Sequence, residues 1–309
     1  MQPNSTTGLG IDYVVTPRIK THLAAIEQLR GTHGRGDSDI MILSGPSGSG
    51  KTTLLDHFDK QHRASADAAG DIRPIVFARC PDRSNFKQLA AAILDALHVT
   101  PAPRATEKDM TRQIIKQLNG QRTQLLVLHD MHRIVGNRTV YGGANVITDL
   151  CEDGRTPIVI AGLTEVARFV KKNSSLRRRI MADVTLEPYD WSIDKDKMEL
   201  IGLTKMLAQS WKYPHNFPID EEFVHRLTWA HGGLIGNIVQ HMKRTEKAIS
   251  ITLSAGVKRP AEIYPSDVEE AYRAMRAKGL SFAGVKGKED PFDLSVLPPE
   301  APTVASLFE

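Results

Sequence analysis

The stretch that decides the fold runs from Ile40 to Thr52 and reads Ile-Met-Ile-Leu-Ser-Gly-Pro-Ser-Gly-Ser-Gly-Lys-Thr. Its first four residues form a short apolar run, which is typical of a buried parallel strand. The eight residues Gly45–Thr52 match the pattern G-x-x-x-x-G-K-[ST] at every fixed position. A helix is predicted over residues 51–63. A strand, a glycine-rich loop and a helix in this order are the context in which the pattern binds phosphate.

The residue types of this loop suit a bound nucleotide. Glycines let backbone N–H groups approach an anion without side-chain clashes, and the helix N-terminus faces the same anion. Lys51 would place a point charge on the outer phosphates, and the Thr52 hydroxyl would hold Mg²⁺. We therefore expect ATP and Mg²⁺ as cofactors. The predicted nucleotide-binding residues are Gly45, Pro46, Ser47, Gly48, Ser49, Gly50, Lys51, Thr52 and Thr53.

Outward from the loop, apolar strands alternate with helices from about residue 40 to 187. Further strands are predicted at 72–78, 124–128, 157–161 and 184–186, with Ser84 and Asp109 capping two helices between them. This alternation predicts an α/β fold, a five-stranded parallel sheet flanked by helices. Beyond it, only helical periodicity remains, which predicts a smaller all-helical lid domain. The expected domains are an N-terminal arm and helix (1–38), an α/β nucleotide-binding domain (39–189), the lid (190–280) and a flexible tail (281–309).

Composition excludes several classes of protein. The 309 residues are 41% hydrophobic and 25% charged, unlike collagen-like, mucin-like or wholly disordered chains. The net charge of +4 permits an acidic partner such as nucleic acid. The longest aliphatic run, Leu125–Leu128, is far too short to span a membrane, and two cysteines cannot build a disulfide framework. We expect a cytoplasmic protein with no membrane partner.

The third predicted strand ends in His129-Asp130. Asp130 is the carboxylate available there, and we predict that it holds Mg²⁺ or polarises the attacking water. The alternative is that Asp130 merely caps the following segment. ATPases of this kind usually carry Asp-Glu here, one residue for each task. Imidazole is a poor ligand for Mg²⁺, so one of the two tasks is unfilled or supplied from elsewhere.

Two groups of basic residues are candidate interaction sites. Arg177, Arg178 and Arg179 precede the fifth strand, and three alternatives stay open: a solvated charge run, a nucleic-acid contact, or an arginine finger acting on a neighbouring subunit. In the second group, i, i+4, i+8 spacing places three basic side chains on one face of a predicted helix. This face is either solvated or in contact with DNA phosphates. The predicted DNA contacts are Lys87, Arg104 and the helix-face residues Lys108, Arg112 and Lys116.

Together these features resemble the AAA+ ATPases of the initiator-like branch, and within them the TniB/TnsC family of transposition regulators. The resemblance covers about residues 13–278. In that family the third strand typically ends Asp-Glu-x-His, and here His129-Asp130-Met131-His132 keeps the histidine and shifts the acidic pair. No arginine stands at Gly236 or Asn237, where the wider superfamily has a sensor arginine. The other matching passages are the helix pair at 84–119, Gly162–Val166, Arg177–Ile180 followed by Val184–Tyr189, and Gly232–Asn237.

The resemblance implies an ATPase that assembles on double-stranded target DNA in the ATP state as a ring or helical filament. It implies recruitment of a transposase, a TniQ-like target-selection adaptor, and slow ATP hydrolysis for disassembly in the bacterial cytoplasm. Thr164 would be the sensor after the fourth strand, and Arg178 or Arg179 the finger; with Lys51 and Asp130 these are the predicted catalytic residues. The alternatives are a replication-initiator-like or other DNA-processing AAA+ ATPase, and a small-molecule P-loop kinase.

Overall fold

The computed structural model describes residues 15–36, 38–68, 70–82, 85–135, 145–278 and 290–293. The N-terminal arm up to residue 14, the predicted cap Ser84 and most of the predicted tail lie outside the described residues. The chain divides into two compact units. One contains residues 18–47 and 51–186, and the other contains the described residues from 187 onward, with 15–17 and 48–50 grouped with it.

The first unit alternates helices and strands, as the sequence predicts. In chain order its elements are α1 (Pro17–Arg30), β1 (Ile40–Ser44), α2 (Lys51–Gln61), β2 (Ser65–Asp67), β3 (Gly70–Ile72), β4 (Ile75–Arg79), α3 (Phe86–Ala96), α4 (Glu107–Gly120), β5 (Leu125–His129), α5 (His132–Val135), α6 (Asn145–Asp153), β6 (Ile158–Ala161), α7 (Thr164–Lys172), α8 (Ser174–Arg177) and β7 (Ile180–Thr185).

Five of these strands form one parallel sheet in the order β4-β5-β6-β1-β7. Both faces of the sheet are covered. In β1, Ile40 and Ile42 point into a core shared with α3, α4 and α6, whereas Met41 and Leu43 point into a second core with α1 and α2. Burial on both faces explains why this strand is a continuous apolar run. The predicted fold class is confirmed.

Two helix starts differ from those predicted. Asp109 does not cap α4; Thr106 does, its hydroxyl accepting a bond from the Asp109 N–H while the Asp109 carboxylate accepts from the Thr106 N–H. The first and fourth residues of a capping box are both typical of a helix start. The sequence predicts the fourth, Asp109, as the cap, whereas the cap is the first, Thr106. Asn85 is the N-cap of α3, where Ser84 was predicted, and it forms the same kind of capping box with Gln88.

Three strands also depart from the sequence prediction. The antiparallel hairpin β2–β3 was not predicted, because its polar, largely exposed residues carry no apolar pattern. Strand β7 begins at Ile180 and not at Val184, so the arginine cluster lies directly before it. It is an edge strand whose residues are only partly buried, which weakens its hydrophobic pattern.

The second unit is built on four helices, α9 (Asp194–Gln209), α10 (Glu221–His231), α11 (Ile235–Ser254) and α12 (Pro265–Ala277). The turn after α10 depends on glycine: Gly233 has φ +68°, and a Cβ there would lie 2.0 Å from the Tyr189 carbonyl oxygen. Phe292, within the predicted tail, packs its ring on those of His241 and Tyr272. Among the described residues, no helix has both the length and the apolar character to cross a membrane.

Candidate functional site

The glycine-rich loop joins β1 to α2 at the carboxyl edge of the sheet, the usual position for a ligand in parallel α/β sheets. Gly48 and Gly50 have φ of +82° and +94°, conformations that residues with side chains rarely adopt. These glycines let the loop curve so that its N–H groups form an anion-binding concavity. The strand–loop–helix context that the motif requires is therefore present.

Lys51, the first residue of α2, turns its side chain back into the loop. Its Nζ donates hydrogen bonds to the carbonyl oxygens of Gly45 at 2.8 Å and Pro46 at 2.7 Å. Burial lowers the pKa of the amine to about 8, and the negative charge of Asp130 opposes this shift. The charge that the motif needs is thus in place, and it titrates close to neutral pH.

His129, the last residue of β5, stands beside the threonine of the motif. Its side chain is buried, and its Nε2 lies 3.0 Å from the Thr52 hydroxyl oxygen. The other ring nitrogen, Nδ1, lies 3.2 Å from Oδ1 of Asp130. Burial lowers the pKa of His129, although the Asp130 charge acts in the opposite direction. An imidazole, and not a carboxylate, therefore faces the hydroxyl expected to hold the metal.

Asp130 is engaged by two arginines. Its Oδ2 accepts a hydrogen bond from Arg79 Nε at 2.9 Å and lies 3.2 Å from Arg133 Nη2. Burial raises the pKa of this carboxyl, but His129 and the two guanidiniums outweigh it, so the pKa is lowered. Its backbone has φ +61°, an uncommon conformation for a non-glycine residue. The carboxylate is therefore ionised, and its Oδ2 is paired with the guanidinium groups of Arg79 and Arg133.

Sequence reasoning missed both arginines that hold Asp130. Arg79 is the last residue of β4 and pairs in register with His129 of the adjacent β5. Arg133 lies in the short helix α5, three residues after Asp130. The strand order would have identified Arg79, because residues that end neighbouring parallel strands meet at one edge. Arg133 could have been identified from the sequence, because a residue three positions after Asp130 can contact it within one helical turn.

The end of β6 carries the predicted sensor. Thr164 is the first residue of α7, at the same edge of the sheet, and its side chain is exposed. The backbone of His132 packs closely against Gly162, and a Cβ at residue 162 would lie only 3.1 Å from the His132 backbone nitrogen. The Nδ1 of His132 is buried and, within the part of the chain that is described, has no hydrogen-bond partner. His132 and Thr164 thus flank the same sheet edge as the loop.

Comparison with known proteins identifies the family. Residues 11–190 match the family model described as Bacterial TniB protein. The chain belongs to the TniB family. No curated protein matches it. With the parallel sheet and the complete phosphate loop, the family places the chain among the P-loop ATPases of the AAA+ class.

Solved structures of ORC and Cdc6 proteins share this fold. The Aeropyrum pernix ORC2 protein, in its ADPNP-ADP complexes, is 13% identical with a TM-score of 0.60 over 85% of this chain and 70% of its own. Cdc6p from Pyrobaculum aerophilum is 15% identical, with a TM-score of 0.61 over 85% of this chain and 69% of its own. The Aeropyrum pernix ORC1 protein in complex with DNA is 14% identical, with a TM-score of 0.61 over 85% and 67%.

In this TniB-family chain the two candidate finger arginines have different environments. The side chain of Arg178 is 64% exposed, whereas that of Arg179 is 4% exposed. Both direct Nη2 at the same carboxylate oxygen of Glu152, at 3.3 and 3.4 Å. Of the two, Arg178 is the one that a neighbouring molecule could contact without rearrangement of the core.

The predicted DNA contacts all lie on the surface. Lys108, Arg112 and Lys116 are exposed on α4, and we call them the α4 stripe. On the same helix, Ile114 and Leu118 enter the hydrophobic core. Lys87 on α3 and Arg104 in the α3–α4 connection are exposed as well. The structure therefore brings the three stripe residues onto one face, as their spacing predicts.

The AAA+ fold implies Mg²⁺ with the nucleotide, and the residues present suit this ion only in part. The hydroxyl of Thr52 is a suitable oxygen ligand. The group that faces it is the His129 imidazole, whereas Mg²⁺ prefers oxygen. The Asp130 carboxylate is occupied by Arg79 and Arg133. The site thus fits nucleotide phosphates well and Mg²⁺ poorly.

Proposed function

We propose that this chain is an ATP-dependent switch that assembles on double-stranded DNA and licenses a transposase. The observation that carries the proposal is the TniB-family match over residues 11–190, which includes a complete phosphate loop on a described strand–loop–helix unit. ATP would favour the assembled state, and hydrolysis would dismantle it. Target information would come from a TniQ-like adaptor in the bacterial cytoplasm.

The nucleotide step follows from the side chains at the sheet edge. Lys51 would exchange the neutral carbonyl oxygens of Gly45 and Pro46 for the outer phosphates, which gives the ammonium a negatively charged partner. Loop N–H groups would bind the remaining phosphate oxygens. Thr164, exposed at the same edge, would sense the outer phosphate. Residues 190–280 would act as the lid of the 39–189 domain, between an N-terminal arm (1–38) and a C-terminal tail (281–309).

Hydrolysis would be slow because Asp130 is not free to act. Orienting a water for in-line attack requires a carboxylate that accepts a hydrogen bond from it. The outer oxygen of Asp130 is bound by Arg79 and Arg133, and its other oxygen faces His129. Breaking these contacts would precede each turnover. The ATP-bound assembly would therefore persist on DNA.

Assembly on DNA would use two exposed basic surfaces. The α4 stripe, with Lys87 and Arg104, would contact DNA phosphates, which makes binding largely independent of sequence. Arg178 would reach the nucleotide of the next subunit in a homo-oligomeric ring or filament. A structural relative, the Aeropyrum pernix ORC1 protein, has been solved in complex with DNA, which supports the DNA partner.

The proposal is tested by DNA binding with and without a non-hydrolysable ATP analogue. We expect duplex DNA to be bound only with the analogue, and Lys51→Ala to lose this binding while remaining folded. Electron microscopy of the same mixtures would show whether rings or filaments form. Equal DNA affinity with and without nucleotide would contradict the switch.

A replication-initiator-like role is the second candidate, favoured by the initiator proteins among the structural neighbours. The two roles differ in their partners. A transposase encoded beside this gene, retained by the ATP-bound protein on DNA, supports the transposition role. Retention of a replicative helicase instead would support the initiator role. A kinase role would require phosphoryl transfer to a small molecule, which the same preparations can be assayed for.

A further inference from the structure

The fold implies Mg²⁺ as the ion that accompanies the nucleotide, but the side chains beside Thr52 suit this ion poorly. Thr52 provides the hydroxyl that holds a metal in phosphate-loop proteins. The side chain that reaches this hydroxyl from the neighbouring strand is an imidazole, with His129 Nε2 at 3.0 Å from Oγ1. In this structure Nε2 shares a hydrogen bond with the Thr52 hydroxyl, and a bound metal would replace that contact with two ligands, one nitrogen and one oxygen.

The ring of His129 is oriented as metal-binding histidines usually are. Its Nδ1 lies 3.2 Å from Oδ1 of Asp130, and a carboxylate can only accept, so the ring proton is favoured on Nδ1. That leaves the lone pair on Nε2, the nitrogen that faces Thr52. Metal-ligating histidines nearly always place a carboxylate or carbonyl on the other nitrogen. Burial and contact with the Phe77 ring, at 5.6 Å between centroids, hold this orientation.

The oxygen ligands that a hard cation requires are scarce at this strand end. The usual acidic pair would present two carboxylates. Here the first position is the His129 ring, and the carboxylate at the second, Asp130, is paired with two guanidinium groups. Mg²⁺ depends on negative oxygen ligands and gains little from nitrogen, whereas first-row transition-metal ions gain from imidazole.

We propose that His129 Nε2 and Thr52 Oγ1 select a later first-row transition-metal ion, such as Co²⁺ or Ni²⁺, over Mg²⁺ as the partner of the bound nucleotide. The inference rests on the proposed nucleotide binding, because the phosphates must supply the remaining ligands. The described residues contain no group of three or more His, Cys, Asp or Glu suited to hold a metal by themselves. Metal and nucleotide therefore bind together.

The first test measures the affinity of the full chain for a fluorescent, non-hydrolysable ATP analogue in saturating MgCl₂, CoCl₂ or EDTA. We expect the cobalt complex to bind about tenfold more tightly than the magnesium complex, because cobalt gains from the nitrogen ligand and magnesium does not. His129→Asp replaces the nitrogen by oxygen and should abolish or invert this preference. Retained binding of the analogue by the variant shows that it is folded.

The second test detects the ligand directly. Low-temperature pulsed electron paramagnetic resonance of high-spin Co²⁺ with the bound analogue should show a nitrogen coupling in the wild type that is lost in His129→Asp. His132→Asn is the matched control, because it removes the next imidazole at the same sheet edge and should leave the coupling in place.

The outcomes separate the two proposals. Equal affinity for the magnesium and cobalt complexes without nitrogen coupling would overturn the metal inference and leave the nucleotide switch standing. A coupling that survives His129→Asp and disappears in His132→Asn would also overturn it. Failure to bind the analogue with any ion or with EDTA would refute the proposed function itself.

Discussion

Lys51 shows how one buried charge couples nucleotide binding to pH. Its pKa is lowered to about 8 by burial, whereas bound phosphates would stabilise the ammonium and raise the pKa again. Nucleotide binding should therefore take up a proton between pH 8 and the ordinary lysine pKa of about 10.4. Below pH 8 the ammonium is already present, so affinity should be nearly constant.

The expected result is an affinity for the ATP analogue that is flat from pH 6.5 to 8 and falls by up to about tenfold per unit above it. Titration calorimetry in buffers of different ionisation enthalpy would count the proton. Lys51→Arg is the control, since a guanidinium stays charged throughout this range. An affinity independent of pH up to 9.5 in the wild type would contradict the shifted pKa.

At the strand end, the His129-Asp130 pair should limit hydrolysis more than binding. Lys51 and the loop would bind the phosphates, whereas Asp130, the predicted catalytic carboxylate, is held by Arg79 and Arg133. We predict tight ATP binding with a turnover below the usual enzyme range of about 1–10³ per second. The double change His129→Asp with Asp130→Glu restores the usual acidic pair and should speed hydrolysis in Mg²⁺.

Phosphate release under single-turnover conditions measures this rate. Arg79→Ala is an informative companion, because it frees Asp130 without changing the pair and should also speed hydrolysis. The explanation would be wrong if the wild type already turns over within the usual range, or if neither variant changes the rate.

At the scale of the element, α4 presents opposite faces to the core and to solvent. Its apolar residues enter the hydrophobic core, and the α4 stripe points outward. If the stripe contacts DNA phosphates, each lysine or arginine releases about one counterion on binding. Arg112→Ala should then reduce the slope of log affinity against log salt by about one unit, with ATP binding unchanged.

The matched control for the stripe is Lys60→Ala. Lys60 is an exposed basic residue on α2, a helix that packs in the other core of the sheet. Its removal should leave the salt slope as in the wild type. An Arg112→Ala slope equal to that of Lys60→Ala would show that the stripe is only a solvated face.

At the scale of the whole molecule, the arginine cluster before β7 would join one subunit to the next. Arg178 is exposed, whereas the side chain of Arg179 is buried. Arg178→Ala should reduce ATP-dependent oligomers and hydrolysis while nucleotide binding by the monomer remains. Arg177→Ala removes an adjacent exposed arginine and is the control. Sedimentation with the ATP analogue distinguishes them, and normal assembly of Arg178→Ala would leave the cluster as surface charge.

The helical unit carries a buried histidine pair that should make it sensitive to acid. His231 Nε2 lies 2.9 Å from His241 Nδ1, and both side chains are fully buried. Burial lowers the pKa of His241 to about 4 and that of His231 well below its ordinary value. The unfolded chain therefore binds more protons than the folded one between about pH 4 and 6.5, so stability falls as pH is lowered through this window.

Urea unfolding at pH 7.5, 6 and 5 would measure this effect. The free energy of unfolding should fall by up to about 1.4 kcal/mol per pH unit for each proton taken up. His231→Asn should reduce this slope, whereas His98→Asn, at an exposed turn, should not. A free energy of unfolding that stays constant from pH 7.5 to 5 would mean that folding does not lower the pKa of His231 or His241.

Local patterns in the sequence were sufficient to predict several features of this protein. The phosphate loop is a run of consecutive residues, and its flanking strand and helix have their own periodicity. The α/β class and the shared face of Lys108, Arg112 and Lys116 follow from spacing within single elements. Such features depend on residues a few positions apart, so local backbone geometry determines them.

Only the tertiary structure decided how the catalytic edge is arranged. His129 meets Thr52, and Arg79 meets Asp130, across long stretches of chain, because β4, β5 and β1 end at the same edge of the sheet. The contrast between exposed Arg178 and buried Arg179 likewise depends on what packs around β7. Strand order and packing are set by the burial of the whole apolar core, and no short stretch of sequence specifies them.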